Sequence, residues 1–387
     1  MSKIVTSTKN GVWQLLPTIA TLLLSLFFVR LFSISIWGNI VSVLIIQQIV
    51  NSLLSWGNKD YLQRELAVNS NFFKSLFTTL FLERFLLFFV IIAFIFYFKL
   101  IDVSCYLAFT YLVFGRFVHQ SFDVVILVER KFTLVIILEI VQIIIQIFTL
   151  FILYKHNSTE TADLLIVFWL PALLKGFVLL LFFKSYFNFK KLNQKALFKS
   201  FPFAMLNLSG LVHTKVDVLL ISKILDSQIL GKYQIITAFL WNIQSIALYI
   251  SGPFIHNFYR LNKNSKNNYS KFLKQIGFLI VPFGVLLMTF VLLYFFKIKI
   301  NYSILIASLL FCSMSFIYLP MIFRINNNKK EYLILIVNII GTLVLICFIL
   351  ICNTIWKLSL EGIIWIITLH QLFITISLYF TNKIFNK

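Results

Sequence analysis

The chain has 387 residues, of which 60% are hydrophobic and only 12% charged, with a formal net charge of +21. That composition leaves no room for a water-soluble domain of ordinary make-up. It does not point to nucleic acid either, because the lysines are spread over several separated loops and are not gathered on one folded face.

Cut at its polar breaks, the sequence falls into about twelve apolar segments of about 20 residues, each long enough to cross a hydrocarbon core of about 30 Å. In chain order they are Gly11–Ile36, Ile40–Trp56, Ser75–Phe98, Ser104–Leu127, Thr133–Tyr154 and Asp163–Phe183, then Phe201–Ile224, Tyr233–Ile255, Phe272–Phe296, Tyr302–Phe323, Tyr332–Cys352 and Leu360–Phe380. The expected fold class is therefore an all-α polytopic membrane protein. The first segment is expected to stay as a span, since it is too long for a signal peptide and lacks a small-residue cleavage site.

Charge placement predicts the orientation. With the N-terminus inside, 22 of the 34 basic residues fall on the cytoplasmic side and eight outside; the remaining four, Arg84, Arg116, Lys175 and Lys215, lie within spans. This positive-inside bias predicts an even number of spans with both termini cytoplasmic. The basic stretch Lys184–Lys199 separates six spans from six, which sets the expected bundles at 1–190 and 191–387. Around the second span the chain reads Ile36-Trp37-Gly38-Asn39-Ile40 and around the eighth Ile229-Leu230-Gly231-Lys232-Tyr233, half a chain apart. Duplicated halves of this kind are how many transporters build a central substrate site.

The four cysteines, Cys105, Cys312, Cys347 and Cys352, lie in or at the edges of spans without metal-type spacing, and apolar packing is their expected role. No metal site, catalytic residue or cofactor is expected. No G-x-x-x-x-G-K-[ST] string occurs, so ATP hydrolysis within the chain is not expected.

At the seventh span the run Lys215-Val216-Asp217-Val218-Leu219-Leu220-Ile221-Ser222-Lys223, followed by Ile229-Leu230-Gly231-Lys232-Tyr233-Gln234, resembles polysaccharide-export flippases. In the first half, Gly38, Trp56-Gly57 and Leu62-Gln63-Arg64-Glu65-Leu66-Ala67 resemble the same family. That family is the multidrug/oligosaccharidyl-lipid/polysaccharide (MOP) exporter superfamily, which includes the MATE transporters; the nearest members are the Wzx-type O-antigen flippases. The resemblance implies two six-helix bundles rocking about a central cavity in a bacterial cytoplasmic (inner) membrane. Its implied cargo is an undecaprenyl-diphosphate-linked oligosaccharide repeat unit. Membrane lipids, a polysaccharide polymerase and chain-length proteins are the implied partners, and coupling to H+ or Na+ stays open.

A diphosphate and many hydroxyls cannot shed their hydration in hydrocarbon without compensation, so such a cargo needs a polar, cationic lumen. In span four Arg116, His119, Gln120 and Asp123 stand at i, i+3, i+4 and i+7, one stripe of one helix face. Arg116 offers a planar fork for phosphate or sugar oxygens, and His119 or Asp123 offers a group that titrates. The other reading is that Arg116 and Asp123 are neutralised by neighbouring helices. Lys215 is a second candidate lumen cation, while Asp217 is read either as a structural tie between bundles or as a coupling acid. Lys175, in mid-span six, is a further lumen candidate. Glu139, with Gln142 and Gln146 in span five, is read as sugar-facing or as helix–helix glue. Arg30 stands near the external end of span one, a place expected for a leaving phosphate or for a lipid headgroup. Glu83 and Arg84 are expected to snorkel to the cytoplasmic interface.

Three rival functions share parts of this pattern. A multidrug or cation antiporter has the same fold, but the basic lumen candidates suit an anion better. An O-antigen polymerase needs a large external loop, and the external loops here run to roughly a dozen residues or fewer. A purely structural membrane protein has no use for charges inside several spans.

Overall fold

In hydrocarbon no water satisfies the backbone, so a chain of this composition spans as helices whose hydrogen bonds are closed within each segment. The computed structural model describes residues 2–59, 61–62, 65, 73–189, 196–251, 263–328, 330–355 and 358–385. Its helices are α1 (Ser2–Leu31), α2 (Ile34–Ser55), α3 (Phe73–Tyr97), α4 (Tyr106–Ser121), α5 (Asp123–Glu129), α6 (Phe132–Lys155), α7 (Thr161–Leu164) and α8 (Ile166–Phe182), followed by α9 (Ala196–Ile224), α10 (Ser227–Ser251), α11 (Lys263–Tyr294), α12 (Tyr302–Asn327), α13 (Glu331–Ile355) and α14 (Leu360–Phe385). Where their residues are described, the expected apolar segments fall on these helices. Among the described residues nine spans are long and apolar enough to cross a membrane, and ten if the two parts of α9, Ala196–Gly210 and Lys215–Ile224, make one span.

One boundary differs from the hydropathy reading. The first segment breaks at Phe32–Ser33, where the Ser33 side chain accepts from the Ile36 backbone N–H at 3.1 Å and caps α2. Hydropathy runs through this break because its flanks are uniformly apolar. Prolines lie within α1 (Pro17), α8 (Pro171), α9 (Pro202), α11 (Pro282) and α12 (Pro320).

The chain forms two compact units, Met1–Leu211 and Val212–Lys387, with the division inside α9. The expected boundary at 190/191 lies outside the described residues, as does most of the Leu62–Ala67 motif.

In the first unit α4 packs most closely on α8, α6 on α1 and α8, and α2 on α4. Glycines set the α4–α8 approach: a Cβ on Gly115 would lie 2.7 Å from the Leu173 backbone nitrogen, and one on Gly176 3.2 Å from the Gly115 carbonyl oxygen. Phe28 stacks on Phe168 at 5.8 Å, and Phe77, Phe81, Phe117 and Phe122 form an aromatic core beneath. After α2 the chain turns at Gly57 (φ +64°), where a Cβ would stand 2.4 Å from Phe203 Cβ and 2.7 Å from the Ala204 nitrogen, so only glycine fits.

In the second unit α12 is central and packs against α10, α11, α13 and α14. Its backbone takes hydrogen bonds from Gln244 Nε2 (to Phe311 O, 2.6 Å) and from the Thr368 hydroxyl (to Ala307 O, 3.3 Å), and Ser303 accepts from Trp365 Nε1 at 2.8 Å. Gly277 and Gly341 allow close crossings, facing Phe316 and Ile374.

Candidate functional site

The second helix carries Gln47, Asn51 and Ser55 at four-residue spacing, with Gln48 and Ser52 beside them, so one face of an otherwise apolar span is polar through its second half, and Lys59 follows just beyond the Gly57 turn. That face opens on a cavity of about 580 Å³ in the first unit, completed by Arg84 of α3, Arg116 and Gln120 of α4, Asp123 of α5, Phe168 of α8 and Asn207 of α9. The volume sits within the roughly 300–1,000 Å³ of small-ligand sites. Three cations, Lys59, Arg84 and Arg116, line it against one acid, Asp123.

Several lining groups have no bonding partner among the described residues. Both polar atoms of the Asn51 amide, the Asn58 carbonyl oxygen and Arg116 Nε are buried without a hydrogen-bond partner. Unmet donors and acceptors in a desolvated wall are expensive unless something fills the space. Of the expected stripe, Arg116, Gln120 and Asp123 all reach the cavity, across a step in the helix at Phe122; His119, half-buried, is not among the lining residues.

Arg84 corrects the snorkelling expectation. Its side chain is 1% exposed, and it donates from Nε to the Leu54 carbonyl at 2.6 Å and from Nη2 to the Ser121 hydroxyl at 2.9 Å, with its guanidinium over the Phe117 ring at 5.1 Å. Leu54 O is one of the last carbonyls of α2, and Ser121 ends α4, so one guanidinium ties three helices at the cavity wall. Glu83 does not snorkel freely either: its carboxylate accepts from the Leu197 N–H at 2.9 Å, capping the start of α9, while Trp56 Nε1 donates to the Leu197 carbonyl at 3.0 Å.

Lys175 is likewise not a lining residue. It is 5% exposed and donates to Glu139 in a buried ion pair between α8 and α6, the arrangement expected of Glu139 as helix–helix glue. Gln142 and Gln146 continue the same buried face of α6, each with an unpaired side-chain carbonyl oxygen. Arg30 is exposed in the last turn of α1 and does not line the cavity.

Lys215 and Asp217 belong to the second unit. Asp217, 4% exposed, accepts a hydrogen bond from the Tyr233 hydroxyl, so the tie it makes runs from α9 to α10. Lys215 is half-buried. The His213 side chain lies outside the described residues. No group of three His, Cys, Asp or Glu side chains among the described residues is placed to hold a metal ion.

At the polar end of the first unit Tyr186 donates to Glu129 and has Lys74 Nζ 5.1 Å from its ring centroid. Burial and the Glu129 carboxylate push the Tyr186 hydroxyl up to about 12. The polar row of α2 and the Arg84 tie are the features that hydropathy hides, since averaging over a span erases a one-sided pattern.

No family model matches this sequence, and neither does any curated protein. Solved structures do match its fold. An inward-facing multidrug resistance MATE transporter of the MOP superfamily superposes with a TM-score of 0.69 at 12% identity, over 98% of this chain and 97% of that one. The outward-facing conformation of such a transporter gives 0.65 at 12%, over 98% and 94%. A MOP superfamily transporter from Pyrococcus furiosus, described as having a binding pocket of reverse polarity, gives 0.54 at 12%, over 98% and 94%. The likeness is one of architecture: this multi-pass membrane chain has the fold of the MATE transporters of the MOP superfamily.

Proposed function

We propose that the chain is an alternating-access exporter that moves a lipid-diphosphate-linked oligosaccharide, an O-antigen or related surface-polysaccharide unit, across a bacterial cytoplasmic membrane. The observation that carries this reading is the lining of the first unit's cavity, three cations against one acid, with Arg116 Nε and the Asn51 amide lacking protein partners. A diphosphate entering hydrocarbon depth needs charge-assisted bonds in place of its water. Arg116 offers a fork and Lys59 a mobile point charge; Arg84, already committed to Leu54 and Ser121, contributes field more than contact. The amides and hydroxyls of Gln47, Gln48, Asn51, Ser52 and Gln120 suit sugar hydroxyls. Lys215 is proposed as a further phosphate contact on charge alone.

Asp123 is the cavity acid assigned to a coupling proton or sodium ion; Glu139 and Asp217 are engaged elsewhere. The full proposal has twelve spans with both termini cytoplasmic, and a polymerase with its chain-length proteins receiving the cargo outside. The fold supports transport in either polarity, since its solved examples include multidrug transporters and one with a pocket of reverse polarity.

The test is translocation by the purified protein in liposomes, reading how much of a lipid-diphosphate oligosaccharide becomes accessible to a membrane-impermeant lectin. Transfer of the labelled sugar head across the bilayer is the expected result. If the cargo stays put while a cationic dye is moved against an H+ or Na+ gradient, the protein is a drug antiporter. If sugar chains lengthen, it is a polymerase.

A further inference from the structure

The second unit has an apolar groove of about 420 Å³ between α11 and α12. Phe278, Val281 and Pro282 of α11 and Leu309 and Phe316 of α12 line it, and Lys274 stands at one end. Gly277 lets it form: a Cβ there would meet the Phe316 ring at 2.6 Å, so the bare backbone admits that ring as the floor. Phe278 is 81% exposed, which in a membrane span means that it faces lipid.

The level of Lys274 follows from length. The span Asn264–Tyr294 has 31 residues, about 46 Å at 1.5 Å per residue, against a hydrocarbon core of about 30 Å. The excess is its polar first part, 264–274, and the unbroken apolar run begins just after Lys274-Gln275. Lys274 therefore stands where the helix enters hydrocarbon, at the level of lipid phosphates, with exposed Lys271 one turn earlier. No acidic residue occurs anywhere between Asp226 and Glu331, so neither α11 nor α12 offers these lysines a carboxylate.

A second groove, about 340 Å³ between α4 and α8, is lined by Phe, Leu, Val and Gly alone. It has room for an acyl chain but nothing for a headgroup. The α11–α12 groove differs by a cation at its mouth.

We propose that the α11–α12 groove is a binding site for an anionic glycerophospholipid of the surrounding bilayer, one acyl chain lying along Phe278, Val281 and Pro282 and the phosphate on Lys274. A single lysine, with no carboxylate on either helix of the groove, matches a single phosphate, and the row of lysines behind it disfavours a zwitterionic headgroup whose amine would face them. The site is separate from the cavity of the first unit and does not depend on what that cavity carries.

Native mass spectrometry of the full-length protein, titrated in detergent with phosphatidylglycerol or phosphatidylcholine, tests the assignment. Phosphatidylglycerol should bind with a preference of roughly fivefold, the scale of one lysine acting on an anionic lipid. Lys274→Ala should abolish the preference and Lys274→Arg should keep it, while Ser313→Trp, placed on the groove wall, should weaken both lipids. Thermal melting of each variant shows whether the fold is kept; Lys274 is exposed, so its variants should melt as the parent does. An unchanged preference in Lys274→Ala overturns the proposal. So does displacement of phosphatidylglycerol by an equal amount of a polyprenyl phosphate, which would make the groove a rest for the carrier tail.

Discussion

The first unit buries Arg84, Glu139 and Lys175, whereas Asp217 is the one buried carboxylate or cation among the described residues of the second. The second unit's buried hydroxyls turn back on their own helices: Thr237 to Tyr233 O, Ser308 to Ile304 O, Thr342 to Asn338 O and Thr375 to Gln371 O. A hydroxyl satisfied within its own turn asks nothing of a neighbour, so the second unit is held chiefly by apolar packing with a few cross-bonds to the α12 backbone. Charges cannot be settled that way. In the first unit they fix pairs of helices to each other, Glu139 with Lys175 and Arg84 with two helix ends, while unmet polar atoms remain at the cavity wall and along α6 at Gln142 and Gln146.

The sharpest way to break this contrast is to unpair the first unit. Lys175→Met leaves the Glu139 carboxylate buried without its partner and should lower stability by about 3–5 kcal/mol, while Lys175→Met with Glu139→Leu should recover most of it. Thermal melting in detergent checks both; equal losses in the single and double variants would mean that the pair is not a tie. Arg116→Ala should reduce translocation about tenfold or more, about 1.4 kcal/mol per decade, with membrane abundance unchanged. Arg116→Lys should restore part of the rate, keeping charge without the fork. Full transport with Ala would overturn the proposed phosphate contact at Arg116.

Asp217 of the second unit should behave differently from Glu139. Asp217→Asn keeps an acceptor for the Tyr233 hydroxyl and should cost less than about 1 kcal/mol, whereas Tyr233→Phe, which leaves the buried carboxylate without that donor, should cost about 1–3 kcal/mol. The reverse order on melting would make Asp217 matter for its charge. The smallest effect is at Tyr186. Its hydroxyl stands raised from 10.0 to about 12, so its contribution is full below pH 10 and is lost as pH rises through about 12. A pH-dependent melt should show a shallow fall across that window, absent in Tyr186→Phe; because the group is only half-buried, solvent screens part of the effect.

The helices were legible because a bilayer imposes length and apolarity directly on sequence, and because an apolar run of about 20 residues closes its own backbone bonding only as a helix. The stripe Arg116, Gln120 and Asp123 was legible for a related reason: side chains four apart share a face whether or not the helix steps between them. Partners distant in sequence were not. Arg84 reads as an end-of-span arginine until Leu54 and Ser121, 30 and 37 residues away, are brought to it. Lys175 and Glu139 were each seen as polar and inside, but their pairing depends on how α6 meets α8, which no spacing encodes. The Ser33 break escaped because a cap is one hydrogen bond in a run of uniform hydropathy.

Gly57 carries a lesson about what constraint means in such a protein. Its backbone dihedral and the 2.4 Å approach to Phe203 each forbid a side chain, and Glu83 and Trp56 hold the same stretch of α9 from either side. A catalogue of tolerated substitutions would therefore mark Gly57 as strongly as any residue that touches cargo, although it has no polar side chain to offer. Gly210, with nothing within 4 Å of its missing Cβ, would pass unnoticed in the same catalogue. Intolerance at the exit of α2 thus reports how closely two segments cross, whereas the unbonded atoms of Asn51, Asn58 and Arg116 report what the cavity asks of an occupant.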